Sequence, residues 1–284
     1  MEAYVMDAFS TRVFGGNQAG VALPERELPD ARMQQVAAEF KHSETAFVRL
    51  EKDGSVTLRY FTPAGEVELC GHATVASFAL LRQLGRIGDG DVTAHTRAGE
   101  LSVTVQGGTV WMDMAKPRLL RELGEDEWDA FYEAYGLTTA DRPEGLTPAI
   151  VSTGLADVML PVRDHDTLMR AVQNEAAVTA LSKKYDVTGV HMFCLGDGCT
   201  AYCSNYAPLY DIPEECATGT SNGALTYYLY RHGMVQPERE NVFLQGEHMH
   251  RPSEIRSRLY EQDGAVNVRV GGSAVMSMQC EVKI

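Results

Sequence analysis

The stretch "EECATGTSNGAL", residues 214–225, sets Cys216 where a strand or loop gives way to small residues and then to an apolar helix. A second stretch, "ELCGHATVASFALL", residues 68–81, does nearly the same with Cys70. Thr74 and Thr220 each stand four places after their cysteine, and the two cysteines lie about half the chain apart. The surroundings repeat too: strands, a cysteine, a small-residue helix start, an apolar helix closing near Gly85 or Gly233, then more strands. This self-similarity predicts an α+β protein of two similar lobes with a site between them.

Outward from these stretches the chain reads as short strands and a few helices. "AYVMDAF", "TAFVRL", "VTLRYF", "LSVTVQ" and "TVWMDM" alternate or run apolar over strand lengths. Pro29 and Asp30 open a helix that runs to about Phe40. After Met114 the texture changes. "EDEWDAFYEAYG", "HDTLMRAV" and "EAAVTALSKKY" read as helices, and strands resume at "GVHMFCL". The boundary falls near Ala115 to Arg118. It divides the chain into an N-terminal lobe, 1–116, and a C-terminal lobe, 117–284, whose last strand is a candidate to return to the first lobe.

Composition narrows the function. The chain has 284 residues, 44% hydrophobic, enough for a full core, and a formal net charge of −14. That charge repels phosphate backbones and anionic membrane surfaces, so neither nucleic acid nor membrane is an expected partner. No apolar run approaches a membrane span, and "MEAYVMDAFS" lacks the features of a signal peptide. Six cysteines without regular spacing read as reduced thiols rather than a secreted disulfide framework. A cytoplasmic location is expected.

The two cysteines carry the chemical argument. A helix N-terminus presents unpaired N–H groups and partial positive charge, which lowers the pKa of a neighbouring thiol and binds a carboxylate. Gly71 and Ala73, or Ala217 and Gly219, let a ligand approach the backbone. Two such motifs would offer a base on each side of one carbon, as inversion of a stereocentre requires. Cys70 and Cys216 are then the bases, and Gly71, His72, Ala217, Thr218, Gly219 and Thr220 line a carboxylate cradle. Cys70 or Cys216 should alkylate ahead of Cys280. The plain alternative is that a lone cysteine is a small buried hydrophobe, the expected role of Cys280 in "SMQCEV".

The blocks "VFGGNQAGVAL", "HSETAFV", "RYFTPAGEVELCGHAT", "VSTGLADVMLPV", "EECATGTSNGAL" and "HRPSEI" resemble, in order, those of the PhzF-like (phenazine biosynthesis) family. The resemblance implies the diaminopimelate epimerase fold, two similar lobes each with a curved β-sheet around a central helix. It also implies a cofactor-independent isomerase of a biosynthetic process, on a fold where homodimers are common. The usual family pattern "EDPATGS" is altered here to Glu215 and Cys216. "CATGTS" and "LCGHAT" instead resemble the paired elements of proline racemases on the same fold. The usual "RMFAP" block is replaced by Ser204–Pro208, without its Arg. Glu44, in "HSETAF", matches the carboxylate that PhzF uses as acid/base, and Asn17 resembles the fold's substrate-contacting Asn.

Three readings follow. The leading one is a racemase or epimerase of a small amino acid or related carboxylic acid, using two cysteines and no cofactor. The second is a PhzF-type isomerase of a cyclic diene acid, using Glu44. The third is a non-catalytic small-molecule-binding protein with a vestigial site. No metal is expected: the spacing of His191, Cys194, Cys199 and Cys203 is not a zinc pattern, and a strand would point alternate residues to opposite faces.

Overall fold

The computed structural model describes all 284 residues. In chain order the first elements are β1 (Glu2–Ala8), β2 (Asn17–Leu23), α1 (Asp30–Phe40), β3 (Glu44–Leu50), β4 (Val56–Phe61), β5 (Glu66–Val67), α2 (Gly71–Gln83), β6 (Gly90–Thr96), β7 (Gly99–Gln106) and β8 (Thr109–Asp113). Next come β9 (Arg118–Glu122), α3 (Glu125–Glu133), β10 (Ala149–Ser152), β11 (Ala156–Pro161), α4 (His165–Met169) and α5 (Glu175–Tyr185). The chain ends with β12 (Gly189–Leu195), β13 (Ala201–Ala207), β14 (Ile212–Glu215), α6 (Gly219–Arg231), β15 (Glu240–Gln245), β16 (Ser253–Gln262), β17 (Ala265–Gly272) and β18 (Ala274–Glu281). Two compact units result, Met1–Asp113 with Gly271–Ile284, and Met114–Val270.

Each unit repeats one pairing plan. In the first, β1 pairs antiparallel with β2, β2 parallel with β3, β3 antiparallel with β4, and β4 parallel with β6. In the second, β10 pairs antiparallel with β11, β11 parallel with β12, β12 antiparallel with β13, and β13 parallel with β15. β18 closes the first unit against β1. The internal repeat read from the two cysteine stretches is therefore a repeat of topology.

Each sheet carries a helix on its inner face. α2 packs against β1, β2, β3, β8 and β18, and α6 against β9, β10, β11 and β16. Both helices have 13 residues and are buried nearly all round, which explains why neither sequence shows a polar stripe. Their hydroxyls bond back into their own turns: Thr74 to the Cys70 carbonyl (2.7 Å), Ser77 to Ala73 (2.6 Å) and Thr226 to Asn222 (2.7 Å). Outside the sheets, α1 covers Ala3, Ala22, Phe47 and Phe61, while Trp128, Phe131, Leu168, Val178 and Leu181 cover Val158, Leu160, Val190 and Met192.

Period-two alternation then decides which strand residues meet the central helices. On β11 and β12, Asp157 and His191 point to the α6 side, both wholly buried. Ser221 Oγ donates to Asp157 Oδ2 at 2.6 Å, yet burial still raises the Asp157 carboxyl to about 6. Burial lowers His191 to about 4 despite Nδ1 lying 3.0 Å from Asn205 Oδ1.

These two shifts oppose one another. Asp157 binds a proton more readily folded than unfolded, so its contribution to stability is full below its ordinary range and is lost as pH rises through about 6. His191 binds a proton less readily folded, so its contribution is full above its ordinary value and is lost as pH falls through about 4. Each is worth on the order of 3 kcal/mol. Asp157→Asn should therefore unmask His191. Urea unfolding of that variant should show stability climbing by about 3 kcal/mol between acid and neutral pH, where the parent protein shows a flatter profile. Identical profiles would show that Asp157 does not titrate in this range.

Candidate active site

Cys70 is the N-cap residue of α2, with extended backbone, and its carbonyl accepts the first helical bond from Thr74 N–H at 3.0 Å. Thr74 Oγ1 also contacts Tyr60 Oη at 2.6 Å, which ties the helix start to β4. Gly71, His72 and Ala73 form the first turn, before any intrahelical N–H bond closes. A Cβ added to Gly71 would meet only the Met112 methyl, at 3.7 Å.

Glu44 opens β3 on the face shared with Ala46 and Val48, toward α2. This brings together three groups from two parts of the sequence. Cys70 Sγ lies 3.4 Å from His72 Nδ1, and His72 Nε2 lies 3.3 Å from Glu44 Oε2 and 3.4 Å from Ser43 Oγ. The reactive atoms of Glu44, Cys70 and His72 all fall within 4.8 Å of one another. Cys70 and His72 are buried, Glu44 is part-buried, and Glu44 Oε2 is buried without a hydrogen bond. Asn17, at the start of β2, is also buried in this unit, opposite Ala8.

Cys216 is built differently. The N-cap of α6 is Thr218, so Cys216 precedes the cap by two residues, directly after β14. Its sulfur is not the helix cap that the sequence pattern suggested. Burial pushes the thiol up to about 11, the Glu215 charge pushes the same way, and Arg251 only partly opposes them. The lowered pKa expected from the helix start is overturned here, because desolvation outweighs the dipole and the neighbouring cation.

The residues around Cys216 brace one another. Thr218 Oγ1 donates to Glu215 Oε2 at 2.7 Å, and Gln245 Oε1 accepts from Thr218 N–H (3.3 Å) and Asn222 Nδ2 (2.8 Å). Gln245 Nε2 donates to the Glu215 carbonyl at 2.6 Å. Ala217 is buried, Gly219 begins α6, and the Thr220 carbonyl accepts from Thr153 Oγ1 at 2.8 Å. Gly246 lies so close that a Cβ would stand 2.7 Å from the Cys216 carbonyl oxygen, and its φ is +85°.

Sequence reasoning singled out neither Ser43 nor Gln245, and it read Arg251 only as part of "HRPSEI". A polar residue at the end of an apolar strand, as Gln245 is in "NVFLQ", was the available signal. Cys194 and Cys203 point to opposite faces, since Cys194 pairs with Tyr202 and Cys203 with Phe193. They are packing thiols, pushed far up by burial.

The phenazine biosynthesis-like protein family matches residues 6–280. The chain belongs to this family, as its motif blocks implied. It is 34% identical to an uncharacterized isomerase of Deinococcus radiodurans over 96% of this chain and 91% of that one. It is 31% identical to an uncharacterized isomerase of Escherichia coli K12, covering 95% and 90%. Among solved structures, a PhzF-family phenazine biosynthesis protein of Bacillus anthracis superposes with a TM-score of 0.91 at 25% identity, covering 100% of this chain and 99% of that one. A probable proline racemase from Agrobacterium radiobacter shares the fold at a TM-score of 0.63 and 12% identity, covering 100% and 93%.

Burial also reorders thiol reactivity. Cys280 is exposed, whereas Cys70 and Cys216 are buried, so the order expected from sequence does not hold for Cys216. Brief iodoacetamide treatment near neutral pH should label Cys280 first and Cys216 much more slowly, because Cys280 is exposed while the Cys216 thiol is buried and held up to about 11. Site-resolved mass spectrometry reads this directly. Labelling of Cys216 as fast as Cys280 would mean that its thiol is not held protonated.

Proposed function

We propose that this protein is a cofactor-independent isomerase that moves a proton beside a carboxylate, as a racemase or epimerase of a small amino acid or related acid. The observation that carries the reading is the cluster at the start of α2, where Cys70, His72 and Glu44 place three proton-exchanging groups within 4.8 Å. The relatives named as isomerases support the reaction class. So does the fold shared with a Pseudomonas aeruginosa protein described as a predicted epimerase, at 27% identity and a TM-score of 0.79. A small carboxylic acid in the cytoplasm is the proposed substrate.

In this reading the Cys70 thiolate takes the Cα proton, and the electron pair left on carbon is delocalised into the carboxylate. The unpaired N–H groups of the first α2 turn would stabilise that charge. The Cys216 thiol then gives its proton to the opposite face of the carbon and is left as thiolate. A thiol held up to about 11 is protonated at neutral pH, which suits the donor. His72, between Cys70 and Glu44, provides a route for Cys70 to exchange its proton with solvent. Gly71, Ala217, Thr218, Gly219 and Thr220 would shape the carboxylate site, and Asn17 would contact the substrate.

A second reading has one specific observation behind it: Glu44 Oε2 is buried with no hydrogen bond. A carboxylate in that condition is a competent single base, as in PhzF-type isomerisation. Isotope transfer separates the two. Run in heavy water from one enantiomer of an amino-acid panel, the two-cysteine enzyme should place deuterium at Cα of the product at the first turnover, with slower label in the remaining substrate. A single-base shuttle would leave part of the product unlabelled. Cys216→Ala should abolish racemisation, and Glu44→Gln should retain substantial activity. Activity in Cys216→Ala with loss in Glu44→Gln would establish the single-base reading. No turnover with any acid would leave a binding protein.

A further inference from the structure

The groups at the start of α2 stand in a defined order around one ring. Cys70 Sγ faces His72 Nδ1 at 3.4 Å, while Glu44 Oε2 lies 3.3 Å and Ser43 Oγ 3.4 Å from Nε2. A carboxylate only accepts, and Glu44 Oε2 is buried and holds no other donor, so the ring proton belongs on Nε2. Nδ1 is then the lone pair, turned toward the sulfur. Thiol, imidazole and orienting carboxylate in that order are the parts of an activated nucleophile. Beside the sulfur, the N–H groups of Gly71, His72 and Ala73 precede the first helical bond, which Thr74 N–H donates to the Cys70 carbonyl. A Cβ on Gly71 would meet only the Met112 methyl, at 3.7 Å, and the neighbouring Leu69 is exposed, so this end of the helix opens to a small acid.

We propose that Cys70 is a nucleophile toward small α,β-unsaturated carboxylic acids and interconverts their cis and trans forms by reversible addition. His72 Nδ1 takes the thiol proton. The thiolate forms a C–S bond to the β-carbon of the acid, and the π pair moves onto the α-carbon and carboxylate as an enediolate. The unpaired N–H groups of the first turn stabilise that charge. The bond between the former alkene carbons is now single and turns. The pair then returns, the double bond re-forms in the other geometry, the C–S bond breaks, and the sulfur recovers its proton from His72. Atoms and electrons balance with no oxidant, reductant or co-reactant. The reaction removes no Cα proton and uses residues of the first unit alone, so it stands or falls apart from racemisation.

The test uses the full chain, reduced, with maleate and cis-2-butenoate as probes. Neither has a stereocentre, so neither reports on racemisation. Proton NMR of the vinyl signals should show conversion to the trans acid. Cys70→Ser should abolish it, and His72→Gln should slow it by about a hundredfold or more. Cys280→Ser should leave it unchanged. Acid quenching during turnover protonates the enediolate, and peptide mass spectrometry should place one saturated adduct on Cys70. Nitrogen-15 NMR should find the His72 proton on Nε2, and Glu44→Gln should shift that population toward Nδ1. Circular dichroism of each variant keeps a folding defect from being read as lost chemistry, and the adduct and the tautomer are read on the parent protein in any case. No trans product from either probe, conversion that survives Cys70→Ser, an adduct on Cys280 instead of Cys70, or a ring proton on Nδ1 overturns the proposal.

Discussion

A helix enclosed by its own sheet has nowhere to put a polar group except into a bond. Both α2 and α6 are in this position, and much of each unit follows from it. Their sequences use Gly, Ala, Ser and Thr so that strands can approach closely, and the hydroxyls of Thr74, Ser77 and Thr226 are closed onto a carbonyl one turn back. The sheets meet these helices with matching polar residues: Tyr60 against Thr74, Asp157 against Ser221, and Ser257 against Thr226 at 2.6 Å. Such bonds fix rotation and register as well as stability, because an orphaned buried partner costs roughly 1–3 kcal/mol. They therefore hold the reactive ends of the helices in place.

From that shared frame the two cysteines diverge. Cys70 occupies the cap position itself, and His72 from the first turn of its own helix lies against its sulfur. Cys216 sits two residues earlier, on the strand side of the cap, and its surroundings include Gly246 and Arg251 from the segment after β15. Gly246 allows that segment to pass over the Cys216 backbone at a distance no side chain would tolerate. Arg251 from the same segment offsets part of the desolvation of the thiol. The cap position in α6 is taken by Thr218, whose hydroxyl is bound to Glu215 rather than offered outward. The two motifs look alike in sequence, but they differ in what surrounds the sulfur.

Local signals in the chain were sufficient for much of the fold. Asp30–Phe40 carried its own start signal, and the helices after Cys70 and Cys216 announced themselves by small residues followed by an apolar run. β2, β9, β10, β11 and β14 were not read as strands, because "NQAGVAL" and "ADVMLP" are apolar without alternation and the others are too short to show a period. Cys70, His72 and Glu44 were each named from their motifs, but their meeting was not legible. It depends on β3 pairing parallel with β2 and aiming Glu44 inward, a contact set by topology. The two-residue offset of Cys216 was hidden for a similar reason. The spacing of matched letters tracks the cysteines, whereas the structural repeat tracks the helix caps.

The divergence has a chemical consequence. Desolvation keeps the Cys216 thiol neutral across the physiological range without a dedicated partner. Cys70 has a partner instead: the His72 ring lies between its sulfur and the Glu44 carboxylate and offers each of them a nitrogen. The fold duplicates the scaffold, and the residues beside each sulfur, His72 and Glu44 at one helix start and Glu215, Gly246 and Arg251 at the other, make the two ends unequal.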